Sequence, residues 1–179
     1  LKEEYLLRDD KVKLVLEVSN NSYSFINTNQ KNISVYIGIP FCPTRCIYCS
    51  FASYSLDKYN SYVKPYLDAL IYEIKCISRY IAENGFKVET IYIGGGTPTS
   101  LNDMDFILLL DAIHSSFCVS RVKEFTVEAG RPDTINLNKL KSMLEKGVSR
   151  ISINPQSMNE KTLDSIGRNH TPEEIISKY

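Results

Sequence analysis

Three cysteines stand close together in the stretch YIGIPFCPTRCIYC, residues 36 to 49: Cys42, Cys46 and Cys49, spaced C-x3-C-x2-C. They offer three thiolates to one site and no obvious fourth ligand. Structural zinc takes four ligands, and the remaining Cys and His residues, Cys76, Cys118, His114 and His170, lie elsewhere in the sequence. A redox C-x-x-C pair normally opens a helix, whereas residues 50 to 60 read as loop. A four-iron cube bound by three protein ligands keeps one iron open to a small molecule. The spacing favours such a site-open iron-sulfur cluster, with structural zinc and a Cys46/Cys49 redox pair as the alternatives. Pro43 stiffens the loop, and Arg45 adds positive charge where a cluster would carry negative charge.

Other residues of chemical type fall further along. Gly94, Gly95, Gly96 and Thr97 follow an apolar run, and glycines let a ligand approach the backbone closely. The pattern matches neither G-x-G-x-x-G nor the phosphate-binding loop. Glu128 shares a strand face with Thr126 and alternates with Phe125 and Val127. A carboxylate buried there is costly without a cation, and a neighbouring Arg or Lys would be the ordinary partner. On the residues alone, Tyr36 is a strand aromatic of the core and Arg168 a surface arginine following Gly167. Cys76 and Cys118 read as inert thiols, His114 as a structural helix residue, and His170 has no assigned role.

The elements that must position these residues alternate. Residues 33–39 (ISVYIGI) are β-branched and apolar on both faces, as in a strand buried on two sides. Pro40 ends it, and a loop of roughly twenty residues carries the cysteines, a length usual for functional loops. Val63, Leu67, Leu70, Ile74, Ile77 and Ile81 then mark one face of a helix, with Pro65 in its first turn and Gly85 as its cap. A second strand is expected over 88–93, a helix over 102–116, a third strand over 124–128, a helix over 136–146 stopped at Gly147, a fourth strand over 150–154, and a short helix over 161–166 stopped at Gly167. Strand and helix alternate four times, which argues for right-handed βαβ units and a parallel sheet. Ligands of such folds collect at the carboxyl ends of the strands. The cysteine loop, the glycines, Glu128 and residues 154–156 all fall there.

Composition sets outer bounds. The chain has 179 residues, 43% hydrophobic and 23% charged, as an ordinary globular protein does. Its 21 basic and 21 acidic residues balance, so net charge gives no reason to expect nucleic acid or an anionic membrane as partner. No apolar stretch approaches the ~20 residues of a membrane helix, and no signal-peptide pattern occurs. A cytoplasmic location is expected, where reduced thiols suit metal or cluster ligation. Residues 1–32 form a leader, charged at first and then rich in Asn and Ser, with a helix of poor periodicity over 9–19; residues 33–179 form the main domain. The chain begins at Leu1, and Thr171, Pro172 and Glu174 signal a helix start just before the sequence stops. It is therefore expected to be a truncated fragment of a longer protein.

CPTRCIYC after YIGIP, followed by GGGTPTSL, VEAGRPD, RISINPQS and IGRNH, resembles the radical S-adenosylmethionine (SAM) superfamily. Within it the chain is similar to the oxygen-independent coproporphyrinogen III oxidase (dehydrogenase) family, and specifically its HemZ branch, over about residues 33–172. The resemblance implies an α/β fold with parallel strands, a partial (βα)6 TIM-like barrel of which about the first four βα units are present. It implies a [4Fe-4S] cluster on Cys42, Cys46 and Cys49, whose open iron binds the amino and carboxylate groups of S-adenosyl-L-methionine. An electron from the reduced cluster would cleave the sulfonium to methionine and a 5'-deoxyadenosyl radical. That radical would abstract a hydrogen from substrate, whose propionate then loses carbon dioxide to become a vinyl group.

The implied cofactor contacts are Tyr36, the aromatic Tyr48, the glycine edge Gly94, Gly95 and Gly96 with Thr97, and Glu128 facing the cofactor's cation. Gln156 and Arg168 match positions that contact a second S-adenosylmethionine in the oxidase branch. The implied partners are a tetrapyrrole substrate and a reductant such as flavodoxin or ferredoxin, with no nucleic acid and no membrane; the fragment alone is expected to lack full activity. Three departures stand out. The usual YxHIPFC has histidine where this chain has Gly38, the oxidase has a further cysteine where Phe51 stands, and the usual Gly-Val before the glutamine is Asn154-Pro155. These bear on the substrate and leave the radical chemistry intact. The rival functions are a haem-binding chaperone of the same superfamily and a zinc-stabilised structural domain.

Overall fold

The computed structural model describes residues 1–23, 30–168 and 170–179. Part of the Asn- and Ser-rich leader, residues 24–29, and the asparagine of the IGRNH motif lie outside the described residues. The chain forms two compact units, Leu1–Asn32 and Ile33–Tyr179. In the first, the helix Asp9–Tyr23 runs past the expected end at residue 19 and buries none of its residues. Asp9 and Asp10 sit in its first turn, where the positive end of the helix dipole favours carboxylates.

The second unit follows the expected alternation. Its elements are β1 (Asn32–Ile39), α1 (Val63–Glu83), β2 (Lys87–Gly95), α2 (Asp103–Ser116), β3 (Glu124–Glu128), α3 (Leu137–Glu145), β4 (Arg150–Ser152), α4 (Glu160–Ser165) and α5 (Pro172–Lys178). The strands lie in the order β1-β2-β3-β4. β2 and β3 are parallel with Ile91 opposite Phe125, as are β3 and β4 with Val127 opposite Ile151. Sequential order with a helix after every strand is the arrangement of consecutive units in a (βα) barrel.

Period-two alternation sorts the strand residues onto two faces. Ile37, Ile39, Ile91, Ile93, Phe125 and Val127 are buried and pack with Leu67 and Ile74 of α1, Phe106, Leu110 and Ile113 of α2, and Met143 of α3. Tyr36, Tyr92, Thr126 and Glu128 take the opposite face. The helix boundaries have local causes. Asn102 and Asn136 cap α2 and α3 by accepting from the backbone of Asp105 and Lys139, and Thr171 with Glu174 forms a reciprocal capping box on α5. Gly85 ends the turn after α1 at a φ of 66°, a left-handed conformation that favours glycine.

Four local expectations are corrected. β1 is not buried on both faces, since Tyr36 is 61% exposed; among the described residues β1 is the edge strand of the sheet. Ile77 belongs to the apolar stripe of α1 yet is exposed, because it overhangs that edge in a groove of about 540 Å³ with Ile33, Val35 and Phe86. β4 stops at Ser152 rather than at residue 154: Pro155 has no N–H to donate to a ladder, and Gln156 turns the chain with a φ of 64°. Residues 50–60 are not all loop. Tyr54–Ser55 pairs with Phe41–Cys42 and Leu56–Tyr59 makes one helical turn, while the residues between Cys49 and Tyr54 belong to neither helix nor strand.

Phe106 has no exposed surface. Phe106→Ala should destabilise the protein by about 3–5 kcal/mol, measured as a lower urea midpoint at unchanged slope. A loss below about 1 kcal/mol would mean that this face of α2 is not the core.

Candidate functional site

The site begins where β2 meets the cysteine loop. The backbone N–H of Gly96 donates to the Ile39 carbonyl at 2.8 Å, and that of Thr97 to the Phe41 carbonyl at 2.8 Å. A Cβ on Gly96 would lie 2.7 Å from the Phe41 carbonyl oxygen and 2.9 Å from Cys42 Sγ. At Gly95, with φ 107°, it would lie 3.0 Å from the Ile39 oxygen. The glycines therefore let one strand end close onto the next, and this chain's own backbone and the Cys42 sulfur fill the space that side chains would need.

Cys42, Cys46 and Cys49 line one cavity of about 250 Å³. Its walls also include Gly95, Gly96 and Thr97 from the end of β2, Glu128 from β3, and Tyr48, Gln156 and Arg168. All five cysteines are free thiols. Each of the three in the cavity has a hydrogen-bonding neighbour. Thr97 Oγ1 donates to Cys42 Sγ at 3.3 Å, Arg131 Nη1 donates to Cys46 Sγ at 3.8 Å, and Ser53 Oγ lies 4.0 Å from Cys49 Sγ. Burial pushes the Cys42 thiol up, and the Thr97 hydrogen bond and the Arg131 charge pull it partly back. Among the described residues no trio of His, Cys, Asp or Glu converges as one metal ion would require. Three sulfurs spread around a cavity, each with a hydrogen-bonding neighbour, fit an iron-sulfur group better than a four-coordinate zinc ion.

Glu128 stands at the end of β3. Its Oε1 accepts from the Tyr92 hydroxyl at 2.6 Å, so its partner is a tyrosine rather than an Arg or Lys. The Tyr36 ring stacks on Tyr92 with centroids 5.7 Å apart and an interplanar angle of 11°. Gly94 leaves room for this group: a Cβ there would lie 2.7 Å from the Tyr92 ring, 3.0 Å from the Tyr36 hydroxyl and 3.1 Å from the Glu128 carboxyl carbon. Tyr36 and Gly94 thus adjoin Glu128 on the sheet face without lining the cysteine cavity. The hydrogen bond to Glu128, followed by burial, pushes Tyr92 up to about 12.

Arg168 is not a surface residue. It is buried, donating from Nη1 to the Gly130 carbonyl at 2.8 Å and from Nη2 to the Tyr48 hydroxyl at 3.2 Å. His170 is buried as well, with Nε2 3.4 Å from the Pro155 carbonyl, and burial holds its pKa down. His114 and Cys118 are exposed and Cys76 half-buried; none lines the cavity.

Three residues at or beside the site escaped the sequence reading; of these Arg131 lines the cysteine cavity. Arg131 is 2% exposed; the charge beside the thiols is this arginine's, while Arg45 is exposed. Lys139 is 6% exposed and donates from Nζ to the carbonyls of Thr99 at 2.6 Å and Thr134 at 3.2 Å. Burial lowers its pKa, offset by Asp103. The third is Tyr92. The only signal was the position of Arg131 and Tyr92 within VEAGRPD and before the glycines; nothing marks a helical lysine as buried.

Comparison with known proteins covers the same span. Residues 36–178 match the Radical SAM superfamily. The chain is similar to the oxygen-independent coproporphyrinogen-III oxidase-like protein HemZ of Bacillus subtilis, 44% identical over 100% of this chain and 36% of that protein. It is 38% identical to the heme chaperone HemW of the same organism over 82% of this chain and 38% of the relative. The solved structure of coproporphyrinogen III oxidase (HemN) from Escherichia coli, described as a radical SAM enzyme, superposes with a TM-score of 0.72 at 28% identity, covering 83% of this chain and 33% of that one. The chain spans about a third of the length of these relatives.

The pair of Tyr92 and Glu128 has a pH signature. Folded Tyr92 keeps its proton to about 12, while an unfolded tyrosine loses it near 10. The stabilisation is whole below about pH 10 and is lost as pH rises through about 12, because the unfolded state binds fewer protons in that window. Over it, the wild type should lose stability more steeply than Tyr92→Phe in denaturant melts. Parallel curves would show that the hydrogen bond does not couple to folding.

Proposed function

The chain belongs to the radical SAM superfamily, and from that premise we propose that it carries a [4Fe-4S] cluster on Cys42, Cys46 and Cys49. At the open iron it binds S-adenosyl-L-methionine, in the service of oxygen-independent oxidative decarboxylation of coproporphyrinogen III. The observation that carries this reading is the set of three thiols on one cavity, each with a hydrogen-bonding neighbour. Bound there, the cluster supplies the electron that splits S-adenosylmethionine into methionine and a 5'-deoxyadenosyl radical.

The chain's own residues have separable tasks. Glu128, oriented by the Tyr92 hydroxyl, meets the cation of the cofactor, since a carboxylate at a strand end is favoured when a positive group pairs with it. Gly95, Gly96 and Thr97 line the cavity, and the methionine moiety lies along them. Tyr36 and Gly94 flank Glu128 from the sheet face. Tyr48, its hydroxyl held by Arg168, closes the side of the third cysteine, and Gln156 with Arg168 serves a second S-adenosylmethionine. The substrate is a tetrapyrrole, the electron donor a reductant such as flavodoxin or ferredoxin, and the compartment the cytoplasm. No helix among the described residues is long and apolar enough to cross a membrane.

A second reading, a haem-binding chaperone, is favoured by the likeness to HemW and by Phe51, exposed at the cavity where the oxidase has a further cysteine. One experiment separates the two. The complete, anaerobically reconstituted protein that contains this chain should hold about four iron and four sulfide per chain, release 5'-deoxyadenosine and methionine from S-adenosylmethionine, and lose both properties to background in Cys46→Ala. With coproporphyrinogen III it should release carbon dioxide. Cofactor cleavage without decarboxylation, together with stable haem binding, would select the chaperone, and zinc in place of iron would defeat both.

A further inference from the structure

We propose that Arg131 tunes the cluster. Donating to the Cys46 sulfur from a buried position, its guanidinium raises the reduction potential of the site and fixes the cysteine loop against the end of β3. The inference rests on the cluster reading above and concerns a residue outside the cysteine motif, within VEAGRPD, to which the resemblance gives no role.

The geometry is specific. Arg131 Nε and Nη2 reach the two carboxylate oxygens of Asp133 at 3.2 and 3.3 Å. Nη1 and Nη2 both donate to Thr44 Oγ1 at 3.2 Å, and Nη1 also donates to Cys46 Sγ at 3.8 Å. Thr44 in turn donates to the Gly167 carbonyl at 3.5 Å, and the Ile47 N–H donates to the Ile166 carbonyl at 3.3 Å. The guanidinium therefore ties the loop carrying the cysteines to the turn after β3, and Thr44 carries the tie on to the end of α4. A rigid planar fork can hold several acceptors at fixed angles, which a lysine cannot.

Charge is the second part. The other two sulfurs have hydroxyl neighbours, Thr97 and Ser53; at Cys46 Arg131 brings a formal positive charge and is 2% exposed, while Arg168, the other buried guanidinium on the cavity wall, donates to Tyr48 and Gly130. Charge buried this deeply is weakly screened by solvent. A cluster gains one negative charge on reduction, so a fixed cation beside a ligand sulfur stabilises the reduced form more than the oxidised form. Hydrogen bonds to the sulfurs and net charge are recognised determinants of cluster potential. Asp133 offsets part of the effect, which makes the two residues opposite levers on one quantity.

The test uses the anaerobically reconstituted protein in wild-type, Arg131→Gln and Asp133→Asn forms. The midpoint potential of each is read by redox titration of the reduced-cluster electron paramagnetic resonance signal. Arg131→Gln should shift the midpoint to more negative values and Asp133→Asn to more positive values. Unchanged midpoints, or shifts of the same sign, overturn the proposal, because a purely structural role would not give opposite signs. If Arg131→Gln fails to assemble a cluster, Asp133→Asn decides alone: a positive shift supports the proposal and no shift overturns it. A wild type that takes up no iron and sulfide overturns the cluster reading itself, and this inference with it.

Discussion

The carboxyl edge of the sheet depends on one close contact, that of the Gly95 and Gly96 backbone with Ile39, Phe41 and Cys42. A Cβ on Gly96 would stand 2.7 Å from a carbonyl oxygen and 2.9 Å from a sulfur, distances at which a well-packed interior cannot yield cheaply. Because the contact is made, Gly96 and Thr97 donate to Ile39 and Phe41 and Cys42 is buried with its sulfur against the Thr97 hydroxyl. One thiol of the site is thereby fixed by the packing of two strands rather than by its loop, and the other two cysteines need only be brought to the same cavity.

For Cys46 buried cations do that. Lys139 reaches back from α3 to the Thr99 and Thr134 carbonyls, whose own residues share a hydroxyl contact at 2.6 Å. Thr134 Oγ1 donates to the Arg131 carbonyl at 2.7 Å, and Arg131 reaches Thr44 and Cys46. The turns after β2 and β3 and the cysteine loop are thus one hydrogen-bonded assembly. Burying two charges for this purpose is costly, and a well-packed apolar core would match it in stability. What the charges add is direction, since each satisfies several acceptors from different segments at once. Oxygen and sulfur positions around the cavity are therefore set by contacts in the chain, before any ligand contributes.

Legibility in the sequence follows from how local each interaction is. The strand and helix order, the cap at Thr171, and the clustering of Cys42, Cys46 and Cys49 rest on spacings of a few residues, and the structure reproduces them. Tyr36 and Ile77 are exposed against their pattern because β1 lies at the edge of the sheet, and Ile77 overhangs that edge from α1. The end of β4 was overrun because β-branched residues continue toward Pro155. Arg131, Lys139 and Tyr92 were missed for a different reason: their partners are backbone carbonyls, or side chains far away along the chain. Tyr92 meets Glu128 across 36 residues and Arg131 meets Cys46 across 85, and no periodicity encodes such a pair. Arg168, which looked like a surface residue after a helix stop, is bound to Tyr48 across 120.

The departures from the resembled family divide by the same physical test. Asn154 is coupled to the scaffold, since a Cβ on Gly130 would lie 3.3 Å from its side-chain oxygen, so the pair Gly130 and Asn154 must change together. Gly38 is different. Its φ is not positive, and a Cβ there would meet the Tyr36 ring alone, at an ordinary 3.7 Å; its carbonyl accepts from the Tyr66 hydroxyl, a contact that any residue could make. Glycine at 38 is thus no requirement of the fold, in contrast to Gly95 and Gly96. Phe51 is likewise 66% exposed, and no buried contact dictates its type. Where the scaffold leaves a side chain free, its identity is available to whatever occupies the neighbouring space. The space beside Gly38 adjoins the Tyr36 ring on the open sheet face, and Phe51 adjoins the cysteine cavity, so these two positions can alter what is bound there while the cysteine set, its donors and Glu128 stay as they are.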